Sequence, residues 1–160
     1  MFTLGEIIDI AIQIEENGES FYRRALEIIR DPALENLLQW LAEEELRHRE
    51  CFLNMKASMS TGSNDRLAEQ VSGAILQSAV GDHAFSLEEV DFNSIEDEAM
   101  LIETAMGFEQ DSIMFYEMIQ SFVSDPMILA HANRIIEEER KHTELLQERQ
   151  RTRQEPASGR

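Results

Sequence analysis

Six side chains able to bind metal fall into two equally spaced triplets. Glu15, Glu45 and His48 form the first; Glu109, Glu139 and His142 form the second, each 94 positions after its counterpart. Carboxylate oxygens and imidazole nitrogens suit iron or manganese, and such mixed sets leave open positions for an oxidant. A structural zinc site would more often use thiolates or a closed tetrahedral set. Within each triplet the Glu-x-x-His pair sits three residues apart, a spacing that places both side chains on one helical face. The pattern therefore predicts two metal ions held between helices and redox chemistry on oxygen species.

The 94-residue offset extends beyond these six residues. Ala11, Phe21 and Tyr22 recur as Ala105, Phe115 and Tyr116, and Asp31-Pro32 recurs as Asp125-Pro126. Glu43-Glu44-Glu45 recurs as Glu137-Glu138-Glu139, and Ile8 and Glu50 recur as Ile102 and Glu144. A unit of two helices is thus present twice, the mark of an internal duplication.

Composition narrows the functional classes. The chain has 160 residues, enough for one domain with a sizeable core. Its formal charge of −18 argues against nucleic acid and against an anionic membrane, both of which need a basic face. Cations, by contrast, are drawn to such a surface. Cys51 is the one cysteine, so no internal disulfide or cysteine-rich metal module is expected. No basic leader and no apolar run of about 20 residues is visible, so a reducing cytoplasm is the expected location.

Residues 3–30 read as a helix, with Leu4, Ile8, Ala11, Ile12, Glu15, Tyr22, Leu26 and Ile29 on one stripe. Asp31-Pro32 ends it and starts the next: Asp is a good N-cap, and Pro suits the first turn because its missing N–H would be unpaired there. The second helix, residues 32–59, aligns Leu34, Leu37, Leu38, Leu41, Glu45, His48, Phe52 and Met55. Glu45 and His48 interrupt an otherwise apolar face, and ionisable groups in a core must be paired or metal-bound. Residues 60–64 read as a loop, 65–80 as a short helix and 81–94 as irregular, with an N-cap at Ser94. The third helix spans about 95–124 and the fourth 126–150, separated by Asp125-Pro126; residues 151–160 read as a disordered tail.

The tight turns make each pair of helices antiparallel. The 35 residues between the pairs are long enough to cross the length of a bundle. Glu15 precedes its turn by about as many residues as Glu45 follows it, so the two carboxylates stand at similar heights. The second hairpin repeats this with Glu109 and Glu139. Packing the hairpins about a pseudo-twofold axis would gather all six side chains at the centre. The expected fold is all-α: a four-helix bundle of two repeated hairpins, with a long crossover between helices 2 and 3.

On these motifs the chain resembles the ferritin-like di-iron superfamily and, within it, the rubrerythrin-like proteins, from residue 3 to about 148. The phrase Ala-x-x-x-Glu-x-x-x-x-x-Phe-Tyr, present twice, is similar to the rubrerythrin form. The resemblance implies a ferritin-like di-iron domain over residues 1–150. Glu45 and Glu139 would bridge the two irons, Glu15 and His48 would complete one, and Glu109 and His142 the other. Manganese or zinc are possible substitutes. It further implies a homodimer and, because Cys51 stands alone, an external electron donor such as a rubredoxin-like protein. One departure concerns a second Glu that rubrerythrins carry three residues after the first on the third helix; here that position is Ser112. The expected function is a di-iron oxidoreductase that reduces hydrogen peroxide, or that oxidises Fe(II) with dioxygen or peroxide. Iron storage or delivery, inside a larger shell or not, is the alternative, and an oxygenase a more distant one.

Tyr22 and Tyr116 lie two turns after a ligand Glu. They read as donors to ligand carboxylates or as radical traps, against the alternative of plain core tyrosines. His131 reads as a satisfied core or end-layer histidine and His83 as a surface one. Glu43, Glu44, Glu137 and Glu138 read as solvated faces that could guide cations, and Cys51 as a buried inert thiol.

Overall fold

Four long helices carry the chain: α1 (Leu4–Ile28), α2 (Pro32–Met59), α3 (Glu98–Phe122) and α4 (Pro126–Gln154). The computed structural model describes residues 4–59 and 92–154. The expected loop at 60–64, the short helix at 65–80 and His83 lie outside the described residues. No described helix is long and apolar enough to cross a membrane.

Both hairpins turn as the Asp-Pro pairs require. Asp31 Oδ1 accepts the Leu34 N–H at 3.0 Å, and Asp125 Oδ1 accepts the N–H groups of Met127 at 2.9 Å and Ile128 at 3.3 Å. These carboxylates satisfy amides that a helix start leaves without partners, at the end where the helix dipole favours negative charge. The third helix begins later than expected. Asp97, not Ser94, is its N-cap: its backbone is extended and its Oδ1 accepts the Met100 N–H at 2.9 Å. Ser94 instead ends a single 3-10 turn, Phe92–Ser94, closed by Ile95 N–H to Phe92 O at 3.3 Å. The fourth helix continues to Gln154, four residues past its expected end. Arg153 in that extension, and Arg149 just before it, pair with Glu98 at 2.9 and 2.8 Å, which ties this end to the start of α3.

Cross-helix contacts fix the directions. Tyr22 of α1 reaches Glu109 of α3, and Tyr116 of α3 reaches back to Glu15 of α1. His48 of α2 meets Glu139 of α4, and His142 of α4 meets Glu45 of α2. Each order reverses, so α1 opposes α3 and α2 opposes α4. With both hairpins antiparallel, α2 and α3 must run the same way. The end of α2 and the start of α3 therefore lie at opposite ends of the bundle, as a crossover connection demands.

The apolar stripes close into one core. Ile8, Ala11, Ile14, Leu34, Leu38, Leu41, Leu101, Ile102, Ile135 and Leu146 are buried in it. Burying each large aliphatic side chain stabilises the fold by about 1.5–3 kcal/mol before the entropy of ordering is counted. Aromatic rings bracket the centre in a repeated manner. Phe21 meets Tyr22 edge-on at 5.4 Å, and Phe115 meets Tyr116 edge-on at 5.7 Å. The sequence repeat is thus also a repeat of packing.

Candidate metal centre

At mid-height the core becomes ionisable. Glu15, Glu45, Glu109, Glu139 and His142 are fully buried and His48 nearly so. Each is delivered by the stripe of its helix: α1 and α3 supply one carboxylate each, while α2 and α4 supply a carboxylate and an imidazole one turn apart. The six residues expected from the sequence all converge here. They form two overlapping groups, each with donor atoms within 4.8 Å of one another. One group is Glu15, Glu45, His48 and Glu139; the other is Glu45, Glu109, Glu139 and His142. Glu45 and Glu139 are common to both.

The donor atoms face inward and lack partners. Glu15 Oε2, both Glu45 oxygens, Glu109 Oε2, Glu139 Oε2 and both His142 nitrogens are buried without a hydrogen bond. Leaving one buried polar group unmet costs about 1–3 kcal/mol, and more if it is charged, so such a cluster needs a compensating reason. A cation at the centre supplies one: four carboxylates and two divalent ions make a neutral cluster.

Electrostatics without metal show the same demand. Burial pushes the Glu45 carboxyl well above its ordinary range, and the charges of Glu139 and Glu15 push it further. Burial alone would lower His48, but the charge of Glu15 and hydrogen bonds to Glu138 and Glu139 raise it well above its usual value. Burial opposes ionisation of Glu139, yet the His142 imidazole at 3.7 Å and the hydrogen-bonded His48 hold its carboxyl below the ordinary value. The raised proton affinity of Glu45 and His48 reflects the same crowding of negative charge that metal ions would relieve.

The two tyrosines cross between the hairpins. Tyr22 OH donates to Glu109 Oε1 at 2.6 Å, and Tyr116 OH donates to Glu15 Oε1. Each orients one oxygen of its carboxylate and leaves the other free for the centre. Burial raises both phenols well above their usual value, with nearby carboxylates adding to the shift, so both keep their protons to donate.

Three features lay beyond the sequence reading. Glu44 and Glu138, expected on solvated faces, are largely covered and turn toward the imidazoles: Glu138 Oε2 lies 2.7 Å from His48 Nε2, and Glu44 Oε2 lies 3.8 Å from His142 Nε2. Glu43 and Glu137 do stay exposed. The repeat offered a signal, because Glu44 and Glu138 each precede a ligand-type Glu shared by both groups. Gly18 is the third. A Cβ there would stand 2.7 Å from Phe108 Cε1 and 2.8 Å from Glu45 Oε2, so its missing side chain makes room for the central carboxylate. Its repeat partner, Ser112, is buried and donates its hydroxyl to Phe108 O at 3.0 Å. Cys51 departs from the expected buried thiol. It is half-buried, as is His131, whose Nδ1 lies 3.4 Å from Cys51 Sγ.

Known proteins carry the same architecture. A structure of a hypothetical protein from Pyrococcus furiosus superposes with a TM-score of 0.68 at 26% identity, covering 92% of this chain and 88% of the other. A Thermotoga maritima protein, described as ferritin-like and diiron-carboxylate, superposes with a TM-score of 0.66 at 22% identity. That match covers 94% of this chain and 95% of the other, and at this identity it speaks for the fold. No curated protein matches the sequence. The rubrerythrin family model matches residues 6–149, a span that holds both triplets and both tyrosines, and the chain belongs to the rubrerythrin family.

Proposed function

We propose that the protein is a di-iron oxidoreductase that reduces hydrogen peroxide, using the six central side chains as its metal ligands. Glu15 and His48 would hold one ion, Glu109 and His142 the other, and Glu45 and Glu139 both. The observation that carries this reading is the convergence of unpartnered, fully buried carboxylate and imidazole atoms from four helices. Membership of the rubrerythrin family supports it. When bound, two ferrous ions supply the pair of electrons that takes peroxide to water.

The remaining work falls to the chain. Tyr22 and Tyr116 orient Glu109 and Glu15 by hydrogen bonds, and their buried rings help keep water from the centre. Phe21 packs against Tyr22, and Phe52 and Phe115 against Tyr116, so the groups that orient the carboxylates sit in an apolar surround that strengthens electrostatic contacts. The acidic surface favours the arrival of Fe(II). Electrons would come from a separate redox protein or module of rubredoxin type. A cytoplasmic homodimer, with one bundle over residues 1–150, is part of the same proposal, and manganese or zinc would fit the same donors.

Anaerobic loading of metal-free protein with Fe(II), followed by mixing with peroxide or with dioxygen, tests the proposal. Two irons per chain and much faster ferric absorbance growth with peroxide are expected. Faster oxidation by dioxygen would replace the peroxidase by a ferroxidase or iron-storage function. Failure to bind two irons would refute the site.

A further inference from the structure

The sequence repeat predicts two equivalent metal positions, but the layer just outside them is not equivalent. His48 and His142 stack with ring centroids 5.7 Å apart, 14° from parallel. In both, Nδ1 faces the central carboxylates and Nε2 faces outward. The outward nitrogens meet different surroundings. His48 Nε2 lies 2.7 Å from Glu138 Oε2. A carboxylate can only accept here, so Nε2 carries the proton and donates it. Nδ1 in turn meets Glu139 Oε1 at 3.0 Å. With a metal in place of that inner contact, the outer hydrogen bond would hold the ring and keep the proton on Nε2, presenting Nδ1 to the ion. His142 Nε2 has no hydrogen bond, and its nearest carboxylate, Glu44, stands off at 3.8 Å.

Two substitutions within the repeat account for this difference. Arg47 ion-pairs with Glu44 and reaches Glu138 at 3.4 Å. Its repeat partner is Lys141, which is exposed and makes no ion pair among the described residues. Glu138 is further steadied by Arg134 at 3.5 Å. The partner of Arg134 is Trp40, whose ring meets His142 edge-on at 5.3 Å. One imidazole is therefore anchored by a carboxylate, while the other rests against an indole.

We infer that Glu138 is a positioning residue for His48, and that Arg47, by drawing Glu44 away from His142, makes the two metal positions unequal. The Glu15–His48 position binds an ion tightly, and the Glu109–His142 position binds loosely and exchanges first. This inference rests on the di-metal reading above. The lost orienting partner is worth about ten- to a hundredfold in affinity.

Anaerobic titration of metal-free protein with Co(II) tests it, followed by visible ligand-field absorption and calorimetry. Wild type should bind in two steps separated by about that factor. Glu138→Ala should weaken the first step and leave the second, and Glu138→Gln, which keeps an acceptor oxygen, should recover part of the loss. Arg47→Met frees Glu44 for His142 and should bring the two steps together. Equal steps in wild type, equal weakening of both steps by Glu138→Ala, or an unchanged ratio in Arg47→Met would each overturn the inference while leaving the di-metal site standing. No Co(II) binding at all would overturn both.

Discussion

Replacing Gly18 by Ala should leave the fold standing and damage the metal site. Gly18 lies inside α1 with an ordinary helical backbone, so its value is not a left-handed conformation. Ala is favoured over Gly in a helix by about 1 kcal/mol. Against that gain, the new Cβ would stand 2.7 Å from Phe108 Cε1 and 2.8 Å from Glu45 Oε2, where ordinary contact begins at 3.4 Å. Overpacking of this kind costs about 1–3 kcal/mol, so the net destabilisation should lie between about 0 and 2 kcal/mol. The buried Phe108 ring has little room to yield. Glu45, with three rotatable bonds and an unpartnered carboxylate, yields first and must retreat by some 0.6 Å to reach 3.4 Å. Functional constellations tolerate displacements of only about 0.5 Å. Because Glu45 belongs to both ligand groups, both ions should bind about ten- to a hundredfold more weakly. Urea denaturation of the metal-free protein and anaerobic Fe(II) titration measure the two effects separately. Gly107→Ala is the control: nothing stands within 4 Å of its Cβ, so it should gain up to about 1 kcal/mol and bind metal normally. Wild-type iron affinity in Gly18→Ala would refute the argument that the missing side chain makes room for Glu45.

Glu139→Ala should abolish binding of both ions, whereas Glu15→Ala should leave one; metal content after gel filtration distinguishes them. Tyr22→Phe strands Glu109 Oε1 in the core and should cost the metal-free protein about 1–3 kcal/mol, read by chemical denaturation. Asp97→Ala removes the α3 N-cap and should cost about 1 kcal/mol in the same assay, with metal stoichiometry unchanged. The His48–Glu138 pair sets a pH window in metal-free protein. The hydrogen bond from His48 depresses Glu138 from 4.5 to about 2, so its contribution is present above 4.5 and lost as pH falls toward 2. His48 is raised above 6.5, so its contribution is present below 6.5 and lost as pH rises through the higher value. Urea midpoints should therefore peak between these limits and decline on either side. Metal binding displaces protons, so added metal should shift the optimum upward; a flat profile in both states would contradict the pairing.

The six converging carboxylate and imidazole side chains and the helical hairpins were legible in the sequence because both are local or periodic. Asp-Pro marks a helix start through its own backbone amides, and a three-residue spacing places Glu45 with His48 whatever lies across from them. The 94-residue repeat supplied the pairing of the hairpins, since two copies of one apolar stripe close most simply on each other. Local competition escaped that reading at the ends. Asp97 displaced Ser94 as N-cap, and α4 runs on to Gln154 with Arg153 of the added turn paired to Glu98. What only the tertiary structure decided is the environment across helices. Glu44 and Glu138 occupy equivalent places in the repeat, yet one is claimed by Arg47 and the other by His48. Gly18 is an unremarked helical residue until Phe108 and Glu45 arrive from two other helices. A duplicated sequence fixes which residue types are equivalent, but hydrogen bonds depend on distances of a few tenths of an ångström, and those are set by every side chain packed around them.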